Sequence, residues 1–363
     1  NFGIMFDFLD NWLATGGFWV AVPLIIVGCV ALIKGADFLV DGASGLAKKY
    51  GVSDIVIGLT VVAFGTSMPE FVVNMVAVGQ GSTEIAITNV LGSNIINTFV
   101  ILGCTALIFP ISSQKTTRRF DIPFSMLAAL LVLLFAVYNS PSWLQIEHLF
   151  NMNITQPSIN DLGSLNLGQG KAGFISGVGG SILLIFFLIF LWHNFKGIGS
   201  APQTESNEGY KPMSAKRALA LILGGLVGLV VGGELIVKSA TSIAHSLGVS
   251  DAIIGLTVVA LGTSLPELAT SCMAAFKKNC DIALGNVIGS NIFNIFFILG
   301  TSACVKALPG YHGLEIDALM AALGSVLVML FVYLTKKHEI KRWHGAILLL
   351  TYAAYLTYRI ITL

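Results

Sequence analysis

Two stretches with one pattern, GTSMPE at residues 65–70 and GTSLPE at residues 262–267, decide how this sequence is read. Each lies inside a run of apolar residues long enough to cross a lipid bilayer. A proline, two hydroxyls and a carboxylate are costly in such a run, because no water is present to satisfy their polar groups. A costly pattern that occurs twice predicts a shared role for both copies.

The composition is typical of an integral membrane protein. Of the 363 residues, 55% are hydrophobic and only 11% are charged, and the mean hydropathy is +0.84. A soluble domain carries about 25% charged residues. The net charge of +1 indicates no nucleic-acid partner. The expected surroundings are therefore a lipid bilayer.

The apolar runs predict ten transmembrane helices, since a span needs about 17–25 residues. Together they predict an all-α integral membrane protein. The ten predicted spans cover residues 18–40, 55–79, 84–108, 122–138, 173–193, 217–240, 252–276, 281–308, 315–335 and 343–362.

The basic residues agree with ten spans. If the N-terminus is extracytoplasmic, the five cytoplasmic loops contain 15 of the 20 Lys and Arg residues, as the positive-inside rule requires. Only Lys171, Lys306 and Arg359 fall on the extracytoplasmic side. Both termini are therefore predicted to be extracytoplasmic.

The two halves of the chain are copies of each other. With an offset of 197 residues, positions 51–103 and 248–300 share 30 identities in 53 positions. Five helices separate matching points, and this odd number predicts two five-helix repeats inserted with opposite orientation, which is common in secondary transporters. The predicted units are a first repeat at 1–193 with an external loop at 139–172, a cytoplasmic connector at 194–215 and a second repeat at 216–363.

The matched polar residues indicate a cation site. Glu70 and Glu267 are the two carboxylates predicted deep inside spans, where ionisable groups are usually functional. Two facing carboxylates repel each other unless a cation or a proton lies between them, and Ca²⁺ takes about 6–8 oxygen ligands. Pro69 cannot donate a backbone hydrogen bond, so it is expected to free carbonyls at this turn.

Neutral oxygens recur around both carboxylates at helical spacing. Residues at i, i+3, i+4 and i+7 share one helix face, and a second polar stripe recurs every four residues on the following helix. The first pattern comprises Ala63, Thr66, Ser67 and Glu70, and Ala260, Thr263, Ser264 and Glu267; the second comprises Asn89, Ser93 and Asn97, and Asn286, Ser290 and Asn294.

These motifs resemble the cation/calcium antiporter superfamily, specifically its sodium/calcium exchanger branch of the prokaryotic type. GLTVVAFGTSMPE with GSNIIN, and GLTVVALGTSLPE with GSNIFN, are similar to the two alpha repeats of that family. The resemblance implies exchange of Na⁺ for Ca²⁺ by alternating access at a midplane site, no cofactor beyond the transported ions, and a prokaryotic plasma (inner) membrane. It implies twelve ligand residues: Ala63, Thr66, Ser67, Glu70, Ser93, Asn97, Ala260, Thr263, Ser264, Glu267, Ser290 and Asn294.

Other functions stay open or are disfavoured. The same fold could couple Ca²⁺ to H⁺ or K⁺, although some potassium-dependent members carry an aspartate where Asn294 stands; a cation channel fits inverted repeats and interrupted helices less well. Gly42-Ala43-Ser44-Gly45 resembles a rhomboid protease motif, but the six histidines lie in loops or at helix ends, so no enzyme is predicted. The sequence leaves oligomeric state, stoichiometry and a role for the loop at 139–172 undetermined.

Overall fold

The computed structural model describes residues 2–138, 174–196, 213–248, 260–311 and 313–362, and almost all of these residues are helical. The helices in chain order are α1 Phe2–Tyr50, α2 Asp54–Thr66, α3 Met68–Gly79, α4 Thr83–Ile108, α5 Thr117–Val137, α6 Gly177–Lys196, α7 Ala215–Ser246, α8 Ala260–Thr263, α9 Leu265–Phe276, α10 Cys280–Val305, α11 Leu314–Leu334 and α12 Arg342–Thr362. The strands are β1 Ile111–Ser112, β2 Phe174–Ile175, β3 Leu308–Pro309 and β4 Glu339–Ile340.

The described helices have the length and composition of membrane spans. Seven of them are long and apolar enough to cross a bilayer, and the bent pair α2 and α3 makes an eighth candidate. The predicted span at 252–276 is described only from Ala260 onward, and α12 is helical over its predicted length. The chain is therefore an integral membrane protein, and the count of ten spans stays a prediction.

Several helices extend beyond the predicted spans. The helix predicted at 18–40 continues to Tyr50, with a kink at Gly17, where φ is 51°, and the helix predicted at 217–240 runs from Ala215 to Ser246. Hydropathy detects the part of a helix that lies in lipid, whereas a helix can continue into the interfacial region with polar residues on one face. The final turns of α1 illustrate this, because Ala43 and Ala47 are buried whereas Lys49 and Tyr50 are exposed.

Some sequence predictions fall outside the described residues. The external loop at 139–172 lies there entirely, and so do residues 252–259 of the seventh predicted span. The connector predicted at 194–215 is described at residues 194–196, which are helical, and at residues 213–215, where only Ala215 is helical. Helix α6 continues to Lys196, and α7 begins at Ala215.

Helices α2 and α3 form one interrupted helix around the GTSMPE motif. Helix α2 ends at Thr66, Ser67 has non-helical dihedrals of φ −85° and ψ 5°, and α3 continues at an angle of 45°. Pro69 occupies one of the first positions of α3, where its missing N–H is not needed. The second copy has the same interruption at Ser264, with φ −90° and ψ 5° between α8 and α9.

Helices α1 and α7 cross at a row of glycines. A Cβ added to Gly225 would lie 2.7 Å from Gly35 O and 2.7 Å from Leu39 N, which are backbone atoms of α1. Gly28 and Gly232 approach in the same way, because a Cβ on either would lie within 3 Å of the other's carbonyl oxygen. Small residues of this kind let membrane helices pack backbone against backbone.

This crossing yields a first prediction. Gly225→Ala should lower the melting temperature in detergent, because overpacking typically costs about 1–3 kcal/mol and backbone atoms of α1 cannot rotate away. The matched control is Gly224→Ala, since a Cβ on this neighbouring, exposed glycine meets no described atom within 4 Å. The control should keep or slightly raise the melting temperature, because alanine is the better helix former. Equal effects of the two variants would contradict the close crossing.

The last helix of each half packs against the other half. Strand β1 after α4 pairs antiparallel with β4 before α12, and strand β3 after α10 pairs with β2 before α6. A Cβ on Gly345 of α12 would lie 2.5 Å from Gly103 O of α4, and a Cβ on Gly180 of α6 would lie 2.6 Å from Gly300 O of α10. The sequence did not predict the strands, which have only two residues each. The two strand pairs hold α12 against the first half and α6 against the second half.

Candidate cation-binding site

The two carboxylates lie where the interrupted helices meet. Glu70 is in the first turn of α3, Glu267 is in the first turn of α9, and each is 1% exposed. Ser67 Oγ donates a hydrogen bond to Glu267 Oε1 at 2.9 Å, and Ser264 Oγ donates to Glu70 Oε1 at 3.4 Å. Each half therefore contributes a hydroxyl to the carboxylate of the other half.

The polar stripes of α4 and α10 border the same point. Ser93 Oγ of α4 donates to Glu70 Oε1 at 3.4 Å. Asn97, Ser290 and Asn294 are each at most 1% exposed. Asn97 is four residues after Ser93, and Asn294 is four residues after Ser290. Both asparagines lie in π-helical segments, Ile96–Ile101 and Phe293–Leu299, and such segments often occur at functional sites.

Several buried oxygens of these residues have no hydrogen-bond partner in the described part of the chain. They are Glu70 Oε2, Glu267 Oε2, Ser290 Oγ, Asn97 Oδ1 and Asn294 Oδ1. Buried polar groups without a partner are rare and require an explanation. Two carboxylates and several neutral oxygens together form a set that a hard cation such as Ca²⁺ or Na⁺ would satisfy.

The threonine and alanine positions of the motif differ in their surroundings. Thr66 Oγ1 lies 3.1 Å from Asn286 Oδ1 and 3.3 Å from Ala63 O, so its hydroxyl is engaged by protein groups. Thr263 is half-buried, and Ala260 is the first residue of α8. The Ala63 carbonyl also accepts a hydrogen bond from Ser67 N at 3.0 Å.

A supporting layer holds the backbone of the two glutamates. Asn89 Nδ2 lies 3.3 Å from Glu70 O and 2.7 Å from Asn74 Oδ1. In the second half, Asn286 Nδ2 lies 3.2 Å from Glu267 O and 2.9 Å from Ser271 Oγ. The two asparagines were noted in the polar stripes, but Asn74 and Ser271 were missed. The 197-residue offset could have found them, since it aligns these two polar residues with each other.

Burial of carboxylates is wider than the sequence analysis predicted. Asp121 is 4% exposed, and three further aspartates, Asp54, Asp281 and Asp317, are at most 7% exposed. All three lie in the first turn of a helix, where the helix dipole favours a negative charge. Their partners include Asn279, which donates to Asp54 Oδ2 at 2.7 Å, and Gln114, which donates to Asp281 Oδ2 at 2.5 Å.

Asp317 is held by a cluster of aromatic and basic side chains. Tyr311 donates to Asp317 Oδ2 at 2.6 Å, Tyr355 donates to Asp317 Oδ1 at 2.7 Å, and Arg359 Nε lies 3.5 Å away. Burial and the Asp317 charge raise the pKa of the Tyr311 hydroxyl well above its usual range, so it remains a donor. This aspartate therefore has its own partners, unlike the free oxygens of the two glutamates.

Asp37 and Asp41 form ion pairs with one lysine. Lys277 Nζ lies 2.6 Å from Asp37 Oδ1 and 2.6 Å from Asp41 Oδ1. The ion pairs connect α1 to the residue that follows α9. The two glutamates of the candidate site differ from these aspartates because each accepts a serine hydroxyl from the opposite half. An unpartnered oxygen is not unique to them, since Asp54 Oδ1 also has no hydrogen-bond partner among the described residues.

This arrangement defines a class of protein, namely an integral membrane protein in which two buried carboxylates from opposite halves meet among buried polar side chains. Comparisons with known proteins give the family. The family model described as "Sodium/calcium exchanger protein" matches residues 20–196 and 217–361. The chain belongs to the sodium/calcium exchanger family, whose members are cation/calcium antiporters and not enzymes.

Individual relatives match over nearly the whole chain. Sodium/calcium exchanger MaX1 of Methanosarcina acetivorans is 34% identical over 351 residues, covering 92% of this chain and 96% of that protein. Inner membrane protein YrbG of Escherichia coli is 32% identical over 302 residues, covering 83% of this chain and 82% of that protein. A solved structure of the sodium-calcium exchanger NCX_Mj, soaked with Na⁺ and Sr²⁺, superposes with a TM-score of 0.73 at 31% identity, covering 93% of this chain and 97% of that chain.

Proposed function

We propose that this protein exchanges Na⁺ for Ca²⁺ across the membrane by alternating access, with both ions competing for one central site. One observation carries the proposal: the buried Glu70 and Glu267 each accept a serine hydroxyl from the opposite half, and each keeps a second oxygen without a partner among the described residues. Their formal charge of −2 balances one Ca²⁺. The exchanger named among the relatives and the solved NCX_Mj structure support sodium as the coupling ion.

The proposed ligands are the twelve residues predicted from the motifs. Glu70 and Glu267 bridge the ion, serine hydroxyls and backbone carbonyls contribute neutral oxygens, and the asparagine amides complete the ring. The proposed site comprises Ala63, Thr66, Ser67, Glu70, Ser93, Asn97, Ala260, Thr263, Ser264, Glu267, Ser290 and Asn294. No cofactor is required, because the transported ions are the only proposed ligands.

We also propose ten spanning helices in two inverted repeats, with both termini extracytoplasmic. The reciprocal serine contacts and the packing of α6 and α12 against the opposite halves support a two-fold relation between the halves. The 15 basic residues in predicted cytoplasmic loops support this orientation. Labelling a single cysteine placed at position 336 or 306, on predicted opposite sides, tests the orientation, because an impermeant reagent added outside should reach only position 306.

A flux measurement tests the function. Proteoliposomes loaded with Na⁺ and diluted into Na⁺-free medium should take up radioactive Ca²⁺, and uptake should stop when Na⁺ is equal on both sides. Uptake driven by a pH gradient without Na⁺, or dependent on internal K⁺, would replace sodium by H⁺ or K⁺ as the coupling ion. Calcium flux that needs no counter-ion would indicate a channel. Empty liposomes are the control for leakage.

A further inference from the structure

The asparagines that follow the site serines, Asn94 and Asn291, are buried but belong to none of the ligand positions derived above. Asn94 is 3% exposed and Asn291 is 4% exposed. They occupy equivalent positions in the two repeats, since 94 and 291 differ by 197. Each lies directly after Ser93 or Ser290, so each is one residue away from a proposed ligand.

The hydrogen bonds of Asn94 define its orientation. Asn94 Nδ2 donates to the main-chain oxygen of Asn291 at 3.2 Å. A main-chain carbonyl can only accept, so the amide nitrogen of Asn94 must face it. The other arm, Asn94 Oδ1, is therefore an acceptor, and it lies 3.0 Å from Asn294 Nδ2.

This contact determines how Asn294 presents its amide. With Nδ2 bonded to Asn94, Asn294 Oδ1 must face the other way. That oxygen is buried and has no partner among the described groups, and the whole side chain is 0% exposed. A carbonyl oxygen is the arm of an amide that can bind a cation, whereas the NH₂ group cannot.

The equivalent contact in the first repeat is not formed. Neither Asn97 Oδ1 nor Asn97 Nδ2 has a hydrogen-bond partner in the described part of the chain, and Asn291 Oδ1 has none either. Asn291 Nδ2 instead donates to Thr98 Oγ1 at 2.9 Å. The repeat has Ile295 where the first half has Thr98. The side-chain amide of Asn294 is therefore held by a hydrogen bond, whereas the side-chain amide of Asn97 has no partner among the described residues.

We infer that Asn94 is a positioning residue that holds Asn294 with its amide oxygen toward the bound cation, while Asn97 keeps an unfixed amide. This inference rests on the proposed function, because it assigns a role to a residue behind a proposed ligand. Fixing the amide before the ion arrives avoids an ordering cost on binding. Asn94 acts through Asn294 and does not itself contact the ion.

A double-mutant cycle in proteoliposomes tests the inference. Asn94→Ala should raise the apparent KM for Ca²⁺ about tenfold, the effect of losing one buried hydrogen bond, with little change in maximal rate. Asn294→Ala should raise the KM at least as much. Adding Asn94→Ala to Asn294→Ala should change the KM less than twofold, because no amide remains to be positioned.

Asn291→Ala provides the matched control. It removes an equivalent buried asparagine that donates to Thr98 and has no bond to Asn294. Asn291→Ala should lower the melting temperature about as much as Asn94→Ala does. When it is combined with Asn294→Ala, however, the KM should rise by the product of the two single fold-changes. If Asn94→Ala is not recovered folded, Asn94→Leu, which fills a similar volume without an acceptor, replaces it in the same cycle.

The outcomes separate this inference from the proposed function. The positioning role would be overturned if the KM of the double variant rose by the product of the two single fold-changes. It would also be overturned if the KM of Asn94→Ala lay within twofold of that of the unmodified protein. Sodium-dependent calcium uptake by the unmodified protein would still stand in that case. An unmodified protein without such uptake would overturn the proposed function itself.

Discussion

Glu70→Gln and Glu267→Gln should each reduce sodium-dependent calcium uptake at least ~100-fold. Removing one partner of a buried charged contact costs about 3–5 kcal/mol, and each 1.4 kcal/mol corresponds to a factor of ten in binding. Glutamine keeps the size of the side chain and leaves only one carboxylate to balance a divalent ion. The measurement is uptake of radioactive Ca²⁺ into Na⁺-loaded proteoliposomes.

A binding readout separates loss of the ion site from loss of the fold. Calcium at about 100 times its Kd should stabilise the unmodified protein by about 2.7 kcal/mol and so raise its melting temperature. Neither variant should show this calcium-dependent rise. Without calcium their melting temperatures should not fall, since the mutual repulsion of the two carboxylates is reduced. The matched control is Glu84→Gln, which removes the same charge from an exposed residue in the first turn of α4. Uptake in either site variant within threefold of the control would refute the assignment.

Gly289→Ala should disrupt both the packing and the site. A Cβ at this position would lie 2.6 Å from Leu59 O, 2.7 Å from Ala63 Cβ and 2.9 Å from Leu59 Cα. The backbone of α2 would have to move away from α10, and this movement would displace the Ala63 carbonyl and the neighbouring Ser290. We expect a destabilisation of about 1–3 kcal/mol and at least a tenfold loss of calcium uptake per folded protein.

The exposed Gly224→Ala serves again as the control, because it adds the same methyl group to a helix where no described atom lies within 4 Å. Uptake should be normalised to the amount of monodisperse protein, so that loss of protein is not counted as loss of transport. If Gly289→Ala kept both its melting temperature and its uptake, the close contact between α2 and α10 would be wrong.

The spans were predictable because lipid imposes length and hydropathy on the sequence. The predicted run at 315–335 differs from α11, Leu314–Leu334, by one residue at each end. The ends of α1 and α7 were not predictable in this way, since they continue with polar residues on one face. The two-residue strands carry no periodic pattern, and their partners lie more than 100 residues away, as with Ile111 and Ile340.

The internal repeat carried most of the information about the candidate site. It singled out the serine and the glutamate of each motif, and the structure brings Ser67 of the first half within 2.9 Å of Glu267 of the second. Ion binding by these residues stays a prediction. The contact between Asn94 and Asn294 could not be derived from the repeat, because the equivalent contact of Asn291 and Asn97 is not formed. A sequence repeat predicts equivalent positions, whereas one change, Thr98 to Ile295, is enough to alter the hydrogen bonds.

The pairing of Gly345 with Gly103 affects how the nascent chain can mature on the ribosome. The face of α4 that carries Gly103 is covered by α12, which is synthesised long after α4, and α6 must wait for α10 before its own glycine face is covered. The first half of the chain therefore enters the membrane with packing surfaces that stay uncovered until α12 has been synthesised.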